Sequence, residues 1–172
     1  QGQVYESFNM AQLWKLPVVY VIENNEYAMG TALARASATT ELYQRGLSFG
    51  IPGEKVDGMD VFAVKAAAEK AAEHARSGKG PYILEMKTYR YRGHSMSDPA
   101  KYRSKEEVDE VKTKRDPIDH IKTMLQQAGV AEDEIKALDN AVKAIVLEAV
   151  SFAQESPEPD PSELYTEVYL EA

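Results

Sequence analysis

Residues Pro17-Val18-Val19-Tyr20-Val21-Ile22 carry no charge, and the polar stretch Glu23-Asn24-Asn25-Glu26-Tyr27-Ala28-Met29-Gly30 follows them at once. A short apolar run rich in β-branched residues predicts a strand covered on both faces, as strands of parallel sheets are. Open α/β sheets bind ligands at the carboxyl ends of their strands, so the same run marks where function is to be sought.

The elements around it alternate. Val4, Phe8, Ala11 and Trp14, widened by Met10, share one side of a helix that stops before Pro17. Farther on, Lys55-Val56-Asp57 reads as a short strand, and Asp60 can N-cap an alanine-rich helix from Val61 to about Arg76. Gly78 is a natural stop, and Pro81 to Thr88 reads as another strand. Helix, strand, helix, strand with short connections predicts an α/β fold with parallel strands and right-handed crossovers. A chain that opens on a helix is expected to lack the strand that should precede it.

Beyond Pro99 the pattern is helical. Ser104 with Glu107 makes a capping box, and Asp116-Pro117 starts a helix with Ile118, Ile121, Met124 and Leu125 on its apolar face and Gly129 near its end. A last helix spans about Ala131 to Glu155. Its residues Ile135, Leu138, Val142, Ile145, Ala149 and Phe152 form a heptad-like seam. Packing of that seam on its own domain is the simpler reading, and a partner subunit is the other. Pro157 to Pro161 reads as a stiff extended linker. The expected division is a partial α/β domain over 1–103, a helical extension packing on it over 104–156, and an extended tail over 157–172.

Composition narrows the chemistry. The chain of 172 residues has no cysteine, which excludes disulfides, thiolate metal sites and a cysteine nucleophile. No apolar run is long enough to cross a bilayer and no signal peptide is evident, so neither membrane nor export is expected, and cytoplasm is the default. Of the net charge of −8, residues 132–172 hold 11 acidic and 2 basic groups, while residues 1–131 hold 17 and 18. The whole should repel nucleic acid, yet Lys87, Arg90, Arg92, Lys101 and Arg103 face Asp98 alone between 87 and 103, a local +4.

Two segments carry candidate chemistry. In Asn24 to Gly30, a carboxamide oxygen and a backbone carbonyl are hard ligands that suit Mg²⁺, which can bridge diphosphate oxygens. On residue types alone a polar turn, with asparagine tolerating left-handed backbone, is the simpler reading. In Tyr89-Arg90-Tyr91-Arg92-Gly93-His94-Ser95-Met96-Ser97-Asp98-Pro99, His94 can donate to a phosphate or move a proton near neutral pH. Ser95, Ser97 and Asp98 can fix the loop through side-chain-to-backbone bonds, and an ordinary surface histidine is the competing reading. His74 and His120 read as structural or solvated.

Taken together, Gln-Gly-Gln at 1–3, Leu13-Trp14-Lys15-Leu16-Pro17, Glu23-Asn24-Asn25, Tyr27, Met29-Gly30-Thr31, Val56-Asp57-Gly58-Met59-Asp60, Ser77-Gly78-Lys79-Gly80-Pro81 and the 88–99 segment resemble one family over essentially the whole chain. It is the family of thiamine-diphosphate-dependent dehydrogenase alpha subunits, with Gly-His-Ser-Met-Ser-Asp-Pro pointing to its pyruvate members. The resemblance implies a parallel-sheet thiamine-diphosphate-binding fold, truncated at the amino terminus, with an α-helical carboxyl-terminal extension. It implies thiamine diphosphate and Mg²⁺ as cofactors, with Asn25 giving its side-chain oxygen and Tyr27 its backbone carbonyl to the metal. It places Met29, Gly30, Arg90 and His94 at the cofactor, His94 as the catalytic-loop histidine at the diphosphate and Arg90 ordering that loop. The implied activity is oxidative decarboxylation of pyruvate with acetyl transfer to a lipoyl carrier. The implied partners are a beta subunit in an α₂β₂ heterotetramer and a lipoyl-bearing acetyltransferase core.

A related 2-oxo acid or acetoin dehydrogenase and a non-catalytic interaction fragment are the alternatives. The family's Gly-Asp-Gly, whose Asp also binds Mg²⁺, is expected to lie before Gln1, so this chain would contribute a partial site and be inactive alone. Ala32 stands where animal members carry a phosphorylated serine, and the loop after Pro99 lacks a second one. Kinase control is therefore not expected, and the resemblance implies a bacterial cytoplasmic enzyme, or a mitochondrial-matrix one if eukaryotic.

Overall fold

A computed structural model describes residues 2–167 of the chain. They fall into two compact units, divided between Ile121 and Lys122.

The first unit is built on a three-stranded parallel sheet. Helix α1 (Gln3–Leu13) leads into β1 (Val19–Asn24), then a two-stranded antiparallel hairpin, β2 (Tyr27–Ala28) and β3 (Thr31–Ala32). A one-turn helix α2 (Leu33–Ala36) and a 3-10 segment, Leu42–Phe49, precede β4 (Gly53–Asp57); α3 (Val61–Arg76) then crosses to β5 (Tyr82–Lys87). The sheet order is β1-β5-β4, with both outer strands parallel to β5. The register sets Asn24 and Asp57 on either side of Lys87, so all three carboxyl ends share one edge.

β5 is the strand that meets the burial pattern expected of β1. Residues 82–86 are all buried. Tyr82, Leu84 and Met86 pack with Val56, Ala67 and Ala71, while Ile83 on the opposite face packs with Phe8 and Ile51. Ala67, Ala71 and Ala75 recur every four residues on α3, and their small side chains let the helix approach the sheet closely. Each branched side chain so buried contributes roughly 1.5–3 kcal/mol.

β1 differs from its expectation of cover on both faces. Tyr20 and Ile22 pack on the Phe8, Ile51 and Ile83 cluster, and Val19 packs on the α3 side, but Val21 is 56% exposed. α3 covers β5 and β4 more fully than β1, where Val19 packs against the cluster beneath it.

The caps follow the sequence closely, with one change. Asp60 Oδ1 accepts from Phe62 N (2.9 Å) and Ala63 N (3.1 Å), starting α3 at the expected residue. Ser104 Oγ accepts from Glu107 N at 3.0 Å and starts α4 (Lys105–Arg115). The expected capping box is only half made, because Glu107 Oε1 accepts from Tyr89 OH at 2.9 Å. Asp116 caps α5 (Pro117–Gln127) through Ile118 N at 2.9 Å.

In the second unit, α6 (Glu132–Glu155) buries none of its residues. In the segment that follows, expected as an extended tail, Asp160 is extended and its carboxylate caps a 3-10 turn at Pro161–Tyr165. The rest of that expected tail, from 168 on, lies outside the described residues. No helix among the described residues is long and apolar enough to cross a membrane.

Candidate functional site

Two segments leave the carboxyl edge of the sheet side by side, the Asn24–Ala32 hairpin from β1 and the 88–104 loop from β5. Their bases are tied by Thr88 N donating to Asn24 O at 2.9 Å.

The hairpin turns on its two asparagines. Asn24 Oδ1 accepts from Glu26 N (2.9 Å) and Asn25 Oδ1 from Tyr27 N (3.1 Å), two successive side-chain turns. The left-handed residues are Glu26 (φ 67°) and Met29 (φ 55°), where the sequence suggested an asparagine. Lys87 Nζ pairs with Glu26 Oε1 at 3.0 Å, a half-exposed pair of small energetic value. A hollow of ≈ 180 Å³ opens among Asn24, Asn25, Tyr27 and Leu33.

The 88–104 loop closes on this hairpin through arginines and tyrosines. Arg90 Nη2 donates to Met29 O (2.8 Å) and to Tyr102 OH (3.0 Å), and Tyr102 OH donates on to Asp98 Oδ2 (2.8 Å). Arg90 Nη1 lies 3.4 Å from His94 Nδ1. Asp98 also accepts from His94 N (2.7 Å) and Ala100 N (2.9 Å). The backbone donors from His94 and Ala100, then the Tyr102 hydroxyl and the Arg90 charge, lower its carboxyl pKa to about 2.

Beneath the loop, Arg103 is buried with its guanidinium 5.0–5.6 Å from the ring centres of Tyr27, Tyr89 and Tyr102. It donates to Arg90 O and Arg92 O. The rings of Tyr27 and Tyr102 meet at 5.2 Å, tilted by 36°, and Gly30 lies so close that a Cβ there would sit 2.9 Å from Tyr102 Cδ1. Tyr91 OH donates to Asp116 Oδ2 at 3.1 Å, tying the start of the loop to the residue that caps α5.

The residues singled out in the sequence are thus partly united. Arg90 touches both Met29 and His94; Tyr27 and Gly30 meet Tyr102; Asn25 is held by Tyr27 N. No hydrogen bond joins Asn25 to Arg90 or His94 among the described residues. Arg103, Tyr102 and Glu85 were missed. An arginine after Tyr102 reads as one more surface cation until the fold places three rings around it. Of the remaining histidines, His74 packs edge-on to Tyr82 at 5.3 Å, and burial, then Lys79 and Lys15, hold its pKa below the ordinary value. A second hollow at the same edge, ≈ 150 Å³, includes His120 and is bridged by Arg115 to Asp57 at 2.6 Å.

The donor set suits a hard dication with a phosphate. Asn25 and Tyr27 offer neutral oxygens, and Arg90 keeps Nε buried without an acceptor. Among the described residues no group of three or more His, Cys, Asp or Glu could hold a metal alone. These oxygens could therefore serve only as two ligands of a larger set.

Comparison with known proteins agrees in extent. The dehydrogenase E1 component family matches residues 1–162. The chain is 66% identical over 171 residues to the pyruvate dehydrogenase E1 component subunit alpha of Rhizobium meliloti (strain 1021), covering 99% of this chain and 49% of that protein. The subunit of the same description from Zymomonas mobilis subsp. mobilis is 58% identical, over 99% of this chain and 48% of its own length. The mitochondrial one from Dictyostelium discoideum is 50% identical, over 99% and 45%. The chain spans about half the length of the curated relatives it matches. It belongs to the dehydrogenase E1 component family.

Proposed function

We propose that this chain acts within the alpha subunit of a thiamine-diphosphate-dependent pyruvate dehydrogenase, which decarboxylates pyruvate oxidatively and passes the acetyl group to a lipoyl carrier. The observation that carries the reading is the clasp from Arg90 to Met29 O, which closes the His94 loop over the Asn25 hairpin at the carboxyl edge of a parallel sheet. The three relatives compared above, each named as a pyruvate dehydrogenase E1 component subunit alpha, support it.

In this reading Asn25 Oδ1 and Tyr27 O are two ligands of Mg²⁺, with the remaining ligands contributed by the rest of the assembly and the diphosphate. Thiamine diphosphate supplies the nucleophilic carbon and electron sink for the decarboxylation. The chain's own residues bind and orient. Arg90 and His94 would bind the anionic diphosphate from the 88–104 loop, Met29 and Gly30 shape the hairpin turn that Arg90 clasps, and Asp98 with Tyr102 fixes the loop that carries His94. His94 can donate to a phosphate oxygen or pass a proton through Nε2. The partners are a beta subunit in an α₂β₂ enzyme and the lipoyl-bearing acetyltransferase core, and the compartment is the bacterial cytoplasm or, in a eukaryote, the mitochondrial matrix.

The test uses the assembled enzyme. Asn25→Ala should raise the Mg²⁺ concentration needed for half-maximal cofactor binding by about 10-fold or more. His94→Ala should lower kcat for lipoyl acetylation by about 10²-fold if it moves a proton. Faster turnover of branched-chain 2-oxo acids than of pyruvate by the parent enzyme would replace the substrate, and an unchanged Mg²⁺ titration in Asn25→Ala would remove the metal assignment.

A further inference from the structure

Glu85 is fully buried at the centre of β5, and no cation pairs with it among the described residues. A carboxylate in such a place is costly unless its oxygens are well bonded. Each oxygen takes one donor: Oε1 accepts from Asn24 Nδ2 at 2.6 Å, and Oε2 from Tyr43 N at 3.0 Å. Asn24 is itself buried, and its other side-chain atom accepts from Glu26 N at 2.9 Å. One continuous chain of bonds thus runs from the 3-10 segment through the central strand to the first residue of the hairpin. Asn25 and Tyr27 follow directly.

We propose that Glu85 is a positioning residue for the metal-binding turn, setting the direction of Asn25 Oδ1 by clamping the Asn24 side chain. This rests on the reading of Asn25 and Tyr27 as metal ligands. A glutamate meets this need because both neighbours present donors. The orientation of Asn24 is fixed, since the atom facing Glu26 N must be an acceptor and leaves Nδ2 toward Glu85. A glutamine at 85 has one acceptor for two donors, so one of the three bonds fails in every amide orientation. An aspartate at 24 opposite Glu85 sets two carboxylates against each other. The reciprocal exchange restores all three bonds: the oxygens of the introduced aspartate accept from Glu26 N and from the introduced glutamine's amide, whose own oxygen accepts from Tyr43 N.

The experiment compares the parent, Glu85→Gln, Asn24→Asp and the double exchange in the complete assembled enzyme. Mn²⁺ replaces Mg²⁺, binding is read by electron paramagnetic resonance in the presence of thiamine diphosphate, and unfolding is followed in parallel. Glu85→Gln should weaken Mn²⁺ binding by about 10-fold, as loss of a metal-orienting contact does. The double exchange should return it to within about threefold of the parent, since it restores the orienting bonds that a single change removes. Parent-like Mn²⁺ affinity in a folded Glu85→Gln enzyme, or a double exchange no better than the single one, overturns the proposal. Should Glu85→Gln alone fail to assemble, the double exchange decides, and its failure to assemble also overturns it. Asn25→Ala is measured beside them: intact Mn²⁺ binding there removes the metal reading itself, whatever the Glu85 variants do.

Discussion

Asp98 gathers three donors from its own loop, His94 N, Ala100 N and Tyr102 OH, and its carboxyl falls to about 2 from an ordinary 3.8. A carboxyl depressed by folding stabilises the folded form fully above its unfolded pKa, and that contribution disappears as pH drops through the folded one. The loop should therefore hold at pH 5 and loosen between about pH 4 and about pH 2. Pepsin digestion across that window should open 93–103 before the sheet. At neutral pH, Asp98→Asn keeps one acceptor where three donors converge, so trypsin should cut at Lys101 faster than in the parent. Equal cutting rates would show that Tyr102 and Arg103 hold the loop without the carboxylate.

Elements carry their own tests. Asp60 satisfies two orphan amides of α3, so Asp60→Ala should cost about 1 kcal/mol. Ala71 is fully buried between α3 and β5, and Ala71→Leu should cost about 1–3 kcal/mol by overfilling that layer. Urea unfolding should register both as lower midpoints with an unchanged m-value. Much of this level was legible beforehand, because caps and periodicity are local: α3 runs Val61–Arg76 as its Asp60 cap and alanine stripe predict, and the starts of α4 and α5 follow from Ser104 and Asp116. The hairpin at Tyr27–Ala32 and the 3-10 segment at Leu42–Phe49 were not. Two-residue strands have too few positions for alternation to register, and the 3-10 segment is ordered by packing near Ile83 and by the Glu85 carboxylate, both far away in sequence. The same reason hid Arg103 and Glu85. Single residues announce charge, while the fold gathers what receives it: Asn24 and Tyr43 at Glu85, and Tyr27 with the loop's own Tyr89 and Tyr102 at Arg103.

At the scale of the whole chain, apolar surface is the main feature. On α6, Leu138, Ile145 and Phe152 are each 60% exposed or more, and in the first unit Leu13 and Trp14 are also largely exposed. Large apolar side chains left exposed on a protein drive association. The 172-residue chain alone should bind anilinonaphthalene sulfonate and elute above its monomer mass of 19.1 kDa in gel filtration. Leu138→Lys with Ile145→Lys should reduce both signals while leaving the helix content by circular dichroism within error. A monomeric elution of the parent chain would contradict this.

The strand order has a consequence for the time at which this sheet can exist. β1 and β4 are made first and do not pair with each other; the strand that joins them, β5, comes last and takes the middle place. Until residue 87 has left the ribosome, neither outer strand has its partner, and the stretch from α1 to α3 can form helices but not this sheet. When β5 does insert, it joins β1 to β4, delivers Glu85 to Asn24 and releases the 88–104 loop beside the hairpin. Scaffold and candidate site are thus born in one late, long-range event, and nascent chains halted before that strand should remain open to proteases between α1 and α3.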